Sequence, residues 1–236
     1  MKKFIRRLII FLFIIIITVC SVLYMNGKKL YNEVLLQIGI EDKVAEIRTN
    51  ENFISIDNVP KYYPNAIIAV EDHRFHKHGA VDFLAIVRAV ISNIKQKDFK
   101  EGGSTITQQT AKNLYFIGED DVVSRKVAEA LIAIDLEKKY SKDEILELYF
   151  NTIYFGDGYY GIKEACNGYL NKEPKDMTLS NATMLAGVPN APSVYAPTQN
   201  PDLTVSRQKK VISCMVKYGY LSQKEADGIA LYSPAN

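Results

Sequence analysis

The stretch AVEDHRFHKHG, residues 69–79, ends an apolar segment with two adjacent carboxylates and contains all three histidines of the chain. If a helix continued through this stretch, Glu71, Phe75 and His78 would share one face, because offsets of four and seven residues return near the same direction. A carboxylate would then lie beside an imidazole. Two alternatives stay open at this point: an exposed, charged helix end, and a metal site, although the His-Glu-x-x-His spacing is missing.

Helical periodicity extends from this stretch in both directions. Two capping-box patterns, Ser141 with Glu144 and Ser222 with Glu225, predict the starts of two helices. Residues 53–56 are a candidate short strand. The helices are predicted over residues 66–75, 83–96, 105–115, 122–140, 142–150, 161–170, 179–186 and 205–218. The pattern therefore predicts a mainly α fold.

Length and composition are those of one globular domain with a short anchor. The chain has 236 residues, of which 47% are hydrophobic and 24% charged, so neither disorder nor a fibrous repeat is indicated. From Asn26 onward 25 basic residues face 27 acidic residues, a net charge of −2. We therefore expect no nucleic-acid partner, because such proteins usually carry a large basic excess.

The N-terminus carries a membrane signal. Residues 8–23 are almost entirely apolar, and flanking apolar residues extend this run to about 20, enough to cross a bilayer. A cleaved signal peptide is the alternative, but no Ala-x-Ala-like site follows. The four preceding positive charges predict a cytoplasmic N-terminus. We expect a cytoplasmic tail at 1–7, a transmembrane anchor at 8–25, a linker at 26–60 and the catalytic domain at 61–236.

The cysteines leave one question open. Cys20 falls within the predicted span. Cys166 and Cys214 would face an oxidising compartment, where either a disulfide or two buried thiols is compatible with the sequence.

A second polar cluster is EGGSTITQQTAKN, residues 101–113. Two glycines precede a helix whose first turn carries hydroxyls, and free N–H groups at such a helix start can bind phosphate. Lys112 adds a positive charge. The alternative is an ordinary N-cap.

The third cluster is RKVAE, residues 125–129. Offsets of three and four place Arg125, Lys126 and Glu129 on neighbouring faces of one helical turn. A simple helix-surface ion pair, which contributes only a few tenths of a kcal/mol, would account for two of these residues.

In this order, the three clusters resemble the first three motifs of the peptidoglycan glycosyltransferases, glycosyltransferase family 51. KDEILELYFN at residues 142–151 is similar to the fourth motif, and residues 158–197 resemble the fifth. The sequence departs from the usual pattern at Glu101, Phe150 and Asn181. Because the sequence holds no penicillin-binding domain, we expect a monofunctional transglycosylase.

The resemblance implies a mainly α, lysozyme-like domain that extends glycan strands. The donor would be the growing glycan on undecaprenyl diphosphate, and the acceptor the 4-hydroxyl of GlcNAc on lipid II, joined in a β-1,4 bond with inversion. Expected partners are lipid II, the nascent strand and the membrane, and candidate protein partners are penicillin-binding proteins and divisome or elongasome components. A divalent cation, Mg²⁺, is also expected, although no set of ligands is legible.

The resemblance also assigns roles to residues. Glu71 is the expected catalytic base, and Glu129 is expected to orient the cations or the substrate. Lys112, Arg125 and Lys126 would hold the diphosphate. The remaining candidate substrate-binding residues are Ser104, Thr105, Gln108, Gln109, Asn113 and His78, of which His78 could also pair with Glu71.

Two rival classes and one surface complete the expectations. A lytic muramidase would need no diphosphate-binding cations, and a non-catalytic scaffold would not need Glu71, Lys112, Arg125 and Glu129 together. The amphipathic segment 81–94 is predicted to pack mostly into the core, with part of its apolar face against the membrane.

Overall fold

The computed structural model describes residues 2–96, 102–119 and 122–233, and these residues form a mainly helical protein. Within these ranges there is no strand, only one isolated bridge between Tyr154 and Tyr160. The mainly α prediction is confirmed, and the candidate strand at 53–56 is wrong, since a short 3₁₀ turn begins at Ile56. The helices are α1 Lys2–Gln37, α2 Ile40–Arg48, α3 Tyr62–Glu71, α4 Phe83–Gln96, α5 Ile106–Tyr115, α6 Val122–Lys139, α7 Lys142–Thr152, α8 Gly161–Leu170, α9 Leu179–Leu185, α10 Pro192–Tyr195, α11 Pro201–Lys217 and α12 Gln223–Asp227.

The predicted helix starts are present. Ser141 accepts a hydrogen bond from the N–H of Glu144, and Ser222 accepts one from the N–H of Glu225, so each serine satisfies a backbone donor that a helix start leaves unpaired. Thr105 caps α5 in the same way.

The helix that carries Glu71 ends sooner than its sequence pattern predicts. Asp72 leaves helical geometry, with φ −155° and ψ 72°, and a short 3₁₀ turn follows at Phe75–Lys77. Glu71, Phe75 and His78 therefore do not share a helical face, and that prediction is wrong. At this point the Asp72 carboxylate binds His78 and the N–H of Ile106.

The apolar N-terminal helix is longer than the predicted span. One helix, Lys3–Gln37, is long and apolar enough to cross a membrane. Its C-terminal part lies against α6, and the hydroxyl of Tyr31 donates to Asp135. Ile40 and Val44 of α2 are buried in the core. Residues 26–60 are thus largely helical and packed on the domain, which corrects their interpretation as a linker.

Two groups of helices meet at the end of α3. One group is α5, α6 and α7, which pack on each other, and the other is α3, α9 and α11. Glu71, the last residue of α3, can therefore be reached from α5 on one side and from α11 on the other.

Both cysteines of the domain are thiols in this structure. Cys166 is fully buried, and burial raises the pKa of its thiol to about 12. At neutral pH this thiol stays protonated, so it behaves as a small apolar core residue.

Candidate active site

Glu71 is nearly buried, and both of its carboxylate oxygens have a partner. Its side chain is 11% exposed. The amide nitrogen of Gln109 donates to Oε2 at 3.1 Å, and Nη2 of Arg207 lies 3.5 Å from Oε1. Burial raises the pKa of the Glu71 carboxyl, while the Gln109 hydrogen bond and the Arg207 charge oppose that rise. A raised pKa and slight exposure suit a general base.

Tyr149 of α7 contacts the Gln109 side chain and supports its orientation toward Glu71. Its ring is buried, and its hydroxyl lies 3.5 Å from the amide oxygen of Gln109. A donor at that oxygen leaves the amide nitrogen of Gln109 directed at Glu71. Burial, followed by the charge of Glu71, raises the pKa of Tyr149 well above its ordinary value, so the phenol keeps its proton.

His78 pairs with Asp72 and not with Glu71. Its Nε2 lies 2.8 Å from Oδ1 of Asp72, and Oδ2 of Asp72 accepts the N–H of Ile106 at 3.2 Å. The predicted contact of His78 with Glu71 is therefore corrected. The Asp72 carboxylate instead ties the first polar cluster to the start of α5, the helix that carries Gln109.

One group of possible metal ligands occurs in the described part of the chain, formed by Asp72, His78 and Asp82. Oδ1 of Asp82 accepts the N–H groups of Leu84 and Ala85, and Oδ2 lies 3.1 Å from Nε of Arg74. Both carboxylate oxygens of Asp82 therefore already have protein partners. Mg²⁺ prefers oxygen ligands and usually keeps several waters, so this cluster does not fit it.

The backbone N–H groups at the start of α5 are bound by the capping-box side chains of Thr105 and Gln108 and by Asp72 at the end of α3. Thr105 and Gln108 form a capping box and are buried, and Ile106 donates its N–H to Asp72. The N–H groups of these three residues therefore do not form the open phosphate cradle that the Gly-Gly-Ser-Thr pattern suggests. Thr105 and Gln108, predicted to bind substrate, have a capping role in this structure.

The third cluster is centred on a buried carboxylate. Glu129 is 0% exposed and lies between Nε of Arg125 at 3.1 Å and Nζ of Lys126 at 2.5 Å. Nζ of Lys126 is also 3.4 Å from the hydroxyl of Ser104. The structure thus brings together three of the residues predicted from the sequence, Ser104, Lys126 and Glu129. Of these, Glu129 is the buried partner of the Lys126 ammonium group.

Arg125, Lys112 and Asn113 have different surroundings. Arg125 also donates to the carbonyl oxygen of Glu119 at 2.6 Å, so much of its guanidinium is held by protein groups. Lys112 is exposed. Asn113 lines a separate cavity of about 400 Å³, whose lining does not include Glu71.

Sequence reasoning missed Arg207. It lies on α11, outside the five motifs, as one of several basic residues in an amphipathic helix. Such a residue has no local signature, because its partner Glu71 is 136 positions earlier in the chain.

The fold and the site define a mainly helical enzyme whose central group is a nearly buried carboxylate. The family model described as Transglycosylase matches residues 41–216. A Cupriavidus necator protein, whose name describes a transglycosylase, is 38% identical over 195 residues, which cover 83% of this chain and 84% of that protein. The chain belongs to the transglycosylase family, in agreement with the resemblance of its motifs.

Longer relatives share the same region. Penicillin-binding protein 1F of Bacillus subtilis is 47% identical over 78% of this chain and 26% of its own length. Penicillin-binding protein 1A of Neisseria flavescens is 45% identical over 74% of this chain and 22% of its own. The chain thus spans about a quarter of these relatives. The crystal structure of penicillin-binding protein 1A from Haemophilus influenzae aligns with 78% of this chain and with 18% of its own chain. The sequence identity is 23% and the TM-score is 0.46.

Proposed function

We propose that this protein polymerises peptidoglycan glycan strands. It would transfer the growing glycan from undecaprenyl diphosphate to the 4-hydroxyl of GlcNAc on lipid II, form a β-1,4 bond with inversion and release undecaprenyl diphosphate. The observation that carries the proposal is the Glu71 carboxylate, nearly buried and held at both oxygens in a chain of the transglycosylase family.

Glu71 takes the proton of the acceptor hydroxyl in this mechanism. A base must approach that hydroxyl to within about 3 Å, and the remaining exposed part of the Glu71 side chain permits such an approach. Inverting glycosidases also need a carboxylic acid to protonate the leaving group. A diphosphate departs as an anion, so a second acid is not required.

Cations near the site take the place of that acid. Lys126 and Lys112 have exposed side chains and can meet the negative charge that grows on the diphosphate. The guanidinium of Arg125 contacts Glu129 and the carbonyl oxygen of Glu119, so less of it is available to substrate than of the two lysines. We therefore assign Arg125 mainly to holding Glu129. Glu129 is fully buried, so its role is to position Lys126 rather than to touch substrate. Ser104, Gln109 and Asn113 remain candidate substrate contacts.

The membrane delivers the lipid-linked substrates in this proposal. Helix α1 would anchor the chain. The four positive charges before its apolar run favour a cytoplasmic N-terminus and a domain on the outer face. The protein partners would be penicillin-binding proteins and divisome or elongasome components. Mg²⁺ stays a prediction from the resemblance, and no step of this mechanism runs through it.

A lytic muramidase is the second candidate function, since its chemistry also uses a buried carboxyl group. The position of Lys126 favours polymerisation, because Glu129 and Ser104 hold this cation in place and hydrolysis of a finished strand has no diphosphate to neutralise.

The test is polymerisation of purified lipid II, with products resolved on a gel. Glu71→Gln should reduce polymerisation by at least about 100-fold while lipid II binding persists, because only the base is lost. Glu51→Gln, at an exposed position, is the matched control. Cleavage of finished glycan by a wild-type protein that cannot use lipid II would establish the muramidase function instead.

A further inference from the structure

Arg207 connects the Glu71 carboxylate to the backbone of Gly187, between α9 and α10. Its Nη2 lies 3.5 Å from Oε1 of Glu71, and its Nε donates to the carbonyl oxygen of Gly187 at 3.3 Å. Its guanidinium carbon is 5.6 Å from the ring centroid of Tyr195. The side chain is 15% exposed, so its position is set by the protein.

Gly187 leaves the space that Arg207 fills. A Cβ atom at this position would lie 2.9 Å from Cγ of Arg207 and 3.2 Å from the carbonyl oxygen of Met184. The φ of Gly187 is −82°, a value open to any residue, so the close approach and not the backbone conformation requires glycine here. Cγ is near the start of the arginine side chain, so relieving the contact moves the whole side chain.

We propose that Arg207 is a positioning residue, which holds the Glu71 carboxylate together with Gln109 in the orientation needed to accept the proton of the acceptor hydroxyl, and that Gly187 admits Arg207 to this position. The inference rests on the proposed function. Gln109 fixes one carboxylate oxygen and Arg207 approaches the other, so loss of Arg207 leaves the carboxylate free to rotate. Misplacement of a catalytic group by about 1 Å can cost about 100-fold in rate.

The charged groups around Glu71 determine how loss of Arg207 changes the pKa of Glu71. Asp72 on α3 raises the pKa of Glu71, and Arg207 on α11 lowers it. Gln109 on α5 and the protonated Tyr149 on α7 are neutral, and the residues of α9 include no titratable side chain. Arg207 is thus the cation facing Glu71 among the described residues. Without it the pKa of Glu71 rises further, and the acid limb of the pH–rate profile moves to higher pH.

The experiment compares pH–rate profiles of lipid II polymerisation by the full-length chain. Arg207→Gln should lower kcat by between about tenfold and 100-fold and shift the acid limb upward. Arg207→Lys should keep the acid limb near that of the wild type but still lose rate, because lysine keeps the charge and cannot reach both partners. Lys210→Gln removes an exposed charge from the same helix and should change neither property.

Gly187→Ala tests the second part of the inference. It should shift the acid limb in the same direction as Arg207→Gln, although the arginine is still present. The double variant should be no worse than Arg207→Gln alone, because both changes remove one interaction. Thermal unfolding of each variant identifies losses that come from misfolding. If Arg207→Gln does not fold, the rate and acid limb of Arg207→Lys decide the question.

The outcomes separate the two claims. A wild-type protein that makes no glycan from lipid II overturns the proposed function and this inference with it. If the wild type polymerises lipid II and Arg207→Gln keeps the wild-type acid limb, only the inference fails. Additive losses in the double variant overturn the link between Gly187 and Arg207.

Discussion

Glu71 lies at the C-terminal end of α3, where the carbonyl groups of the helix give a partial negative charge. This location and the burial of the side chain both disfavour the ionised carboxylate, which is the form that a base needs. Gln109 and Arg207 partly offset this effect. The proposed catalytic base is therefore expected to destabilise the fold at neutral pH.

We predict that wild-type stability falls as pH rises through the pKa of folded Glu71. Because the folded pKa is raised above the unfolded value, the native state binds more protons in the window between them, and the free energy of unfolding decreases with pH there. Each unit of difference corresponds to about 1.4 kcal/mol. Glu71→Gln lacks this term and should be the more stable protein at neutral pH, as measured by chemical denaturation at several pH values. Identical pH slopes for the two proteins would contradict the prediction.

At the residue scale, sequence reasoning reached the groups with local signatures. The polar clusters that contain Glu71, Gln109 and Lys126 stand out because each lies in an apolar or glycine-rich context. Which side chains pair with each other within the site was harder to predict from the sequence. His78 bonds to Asp72, and Arg207 reaches Glu71 from α11, since both contacts depend on how helices pack and not on spacing along the chain.

At the element scale, the helix starts were predictable because a cap is a contact between residues three positions apart. The end of α3 was not, since Asp72 there binds Ile106 of α5, a residue 34 positions away. The extent of α1 was missed for a similar reason. Its second half has a mixed sequence pattern, and its contact with α6 depends on how the helices pack.

Helix α4 exposes an apolar face next to the site. The exposed fractions are 74% for Phe83, 62% for Leu84 and 56% for Val87. Segment 81–94 was predicted to pack mostly in the core, and these three side chains do not. Apolar side chains exposed together often mark a membrane or protein contact.

We predict that the double change Phe83→Asp and Leu84→Asp abolishes liposome binding by an anchor-free protein of residues 26–236, because two charges would have to enter the lipid interface. Flotation of the protein with liposomes measures this. Leu203→Asp, at a position 45% exposed on α11, is the control and should leave binding intact. Undiminished binding by the double variant would show that α4 does not face the membrane.

The crossing of α1 and α6 depends on Gly27. A Cβ atom there would lie 2.3 Å from Cβ of Val127 and 2.9 Å from the carbonyl oxygen of Ser124. We predict that Gly27→Ala forces the helices apart and costs about 1–3 kcal/mol, a usual range for overpacking. Thermal unfolding of the full-length chain in detergent measures the loss. Gly228→Ala, whose Cβ would lie 3.5 Å from its nearest neighbour, is the matched control, and equal melting temperatures would refute the prediction.

At the scale of the whole molecule, the charge distribution predicts the topology. A cysteine at Lys210 should react with a membrane-impermeant maleimide added to intact spheroplasts, and a cysteine at Lys3 should not, because the positive N-terminus stays in the cytoplasm. Cys20 and Cys214 are replaced by serine in both proteins to remove background labelling. Reaction of the cysteine at position 3 would indicate the inverted topology.

The continuity of α1 has a consequence for the composition of the bilayer. Met25 lies at the end of the apolar run, and a helix rises 1.5 Å per residue, so Tyr31 is only about 9 Å further along the axis. Helix α6, with Lys126 in its first turns, lies against this part of α1. Lipids with shorter acyl chains increase the tilt of a spanning helix, and a domain docked rigidly on that helix tilts with it. The acyl-chain length of the host lipids is therefore expected to change the angle at which Lys126 and Glu71 meet the plane of the lipid headgroups.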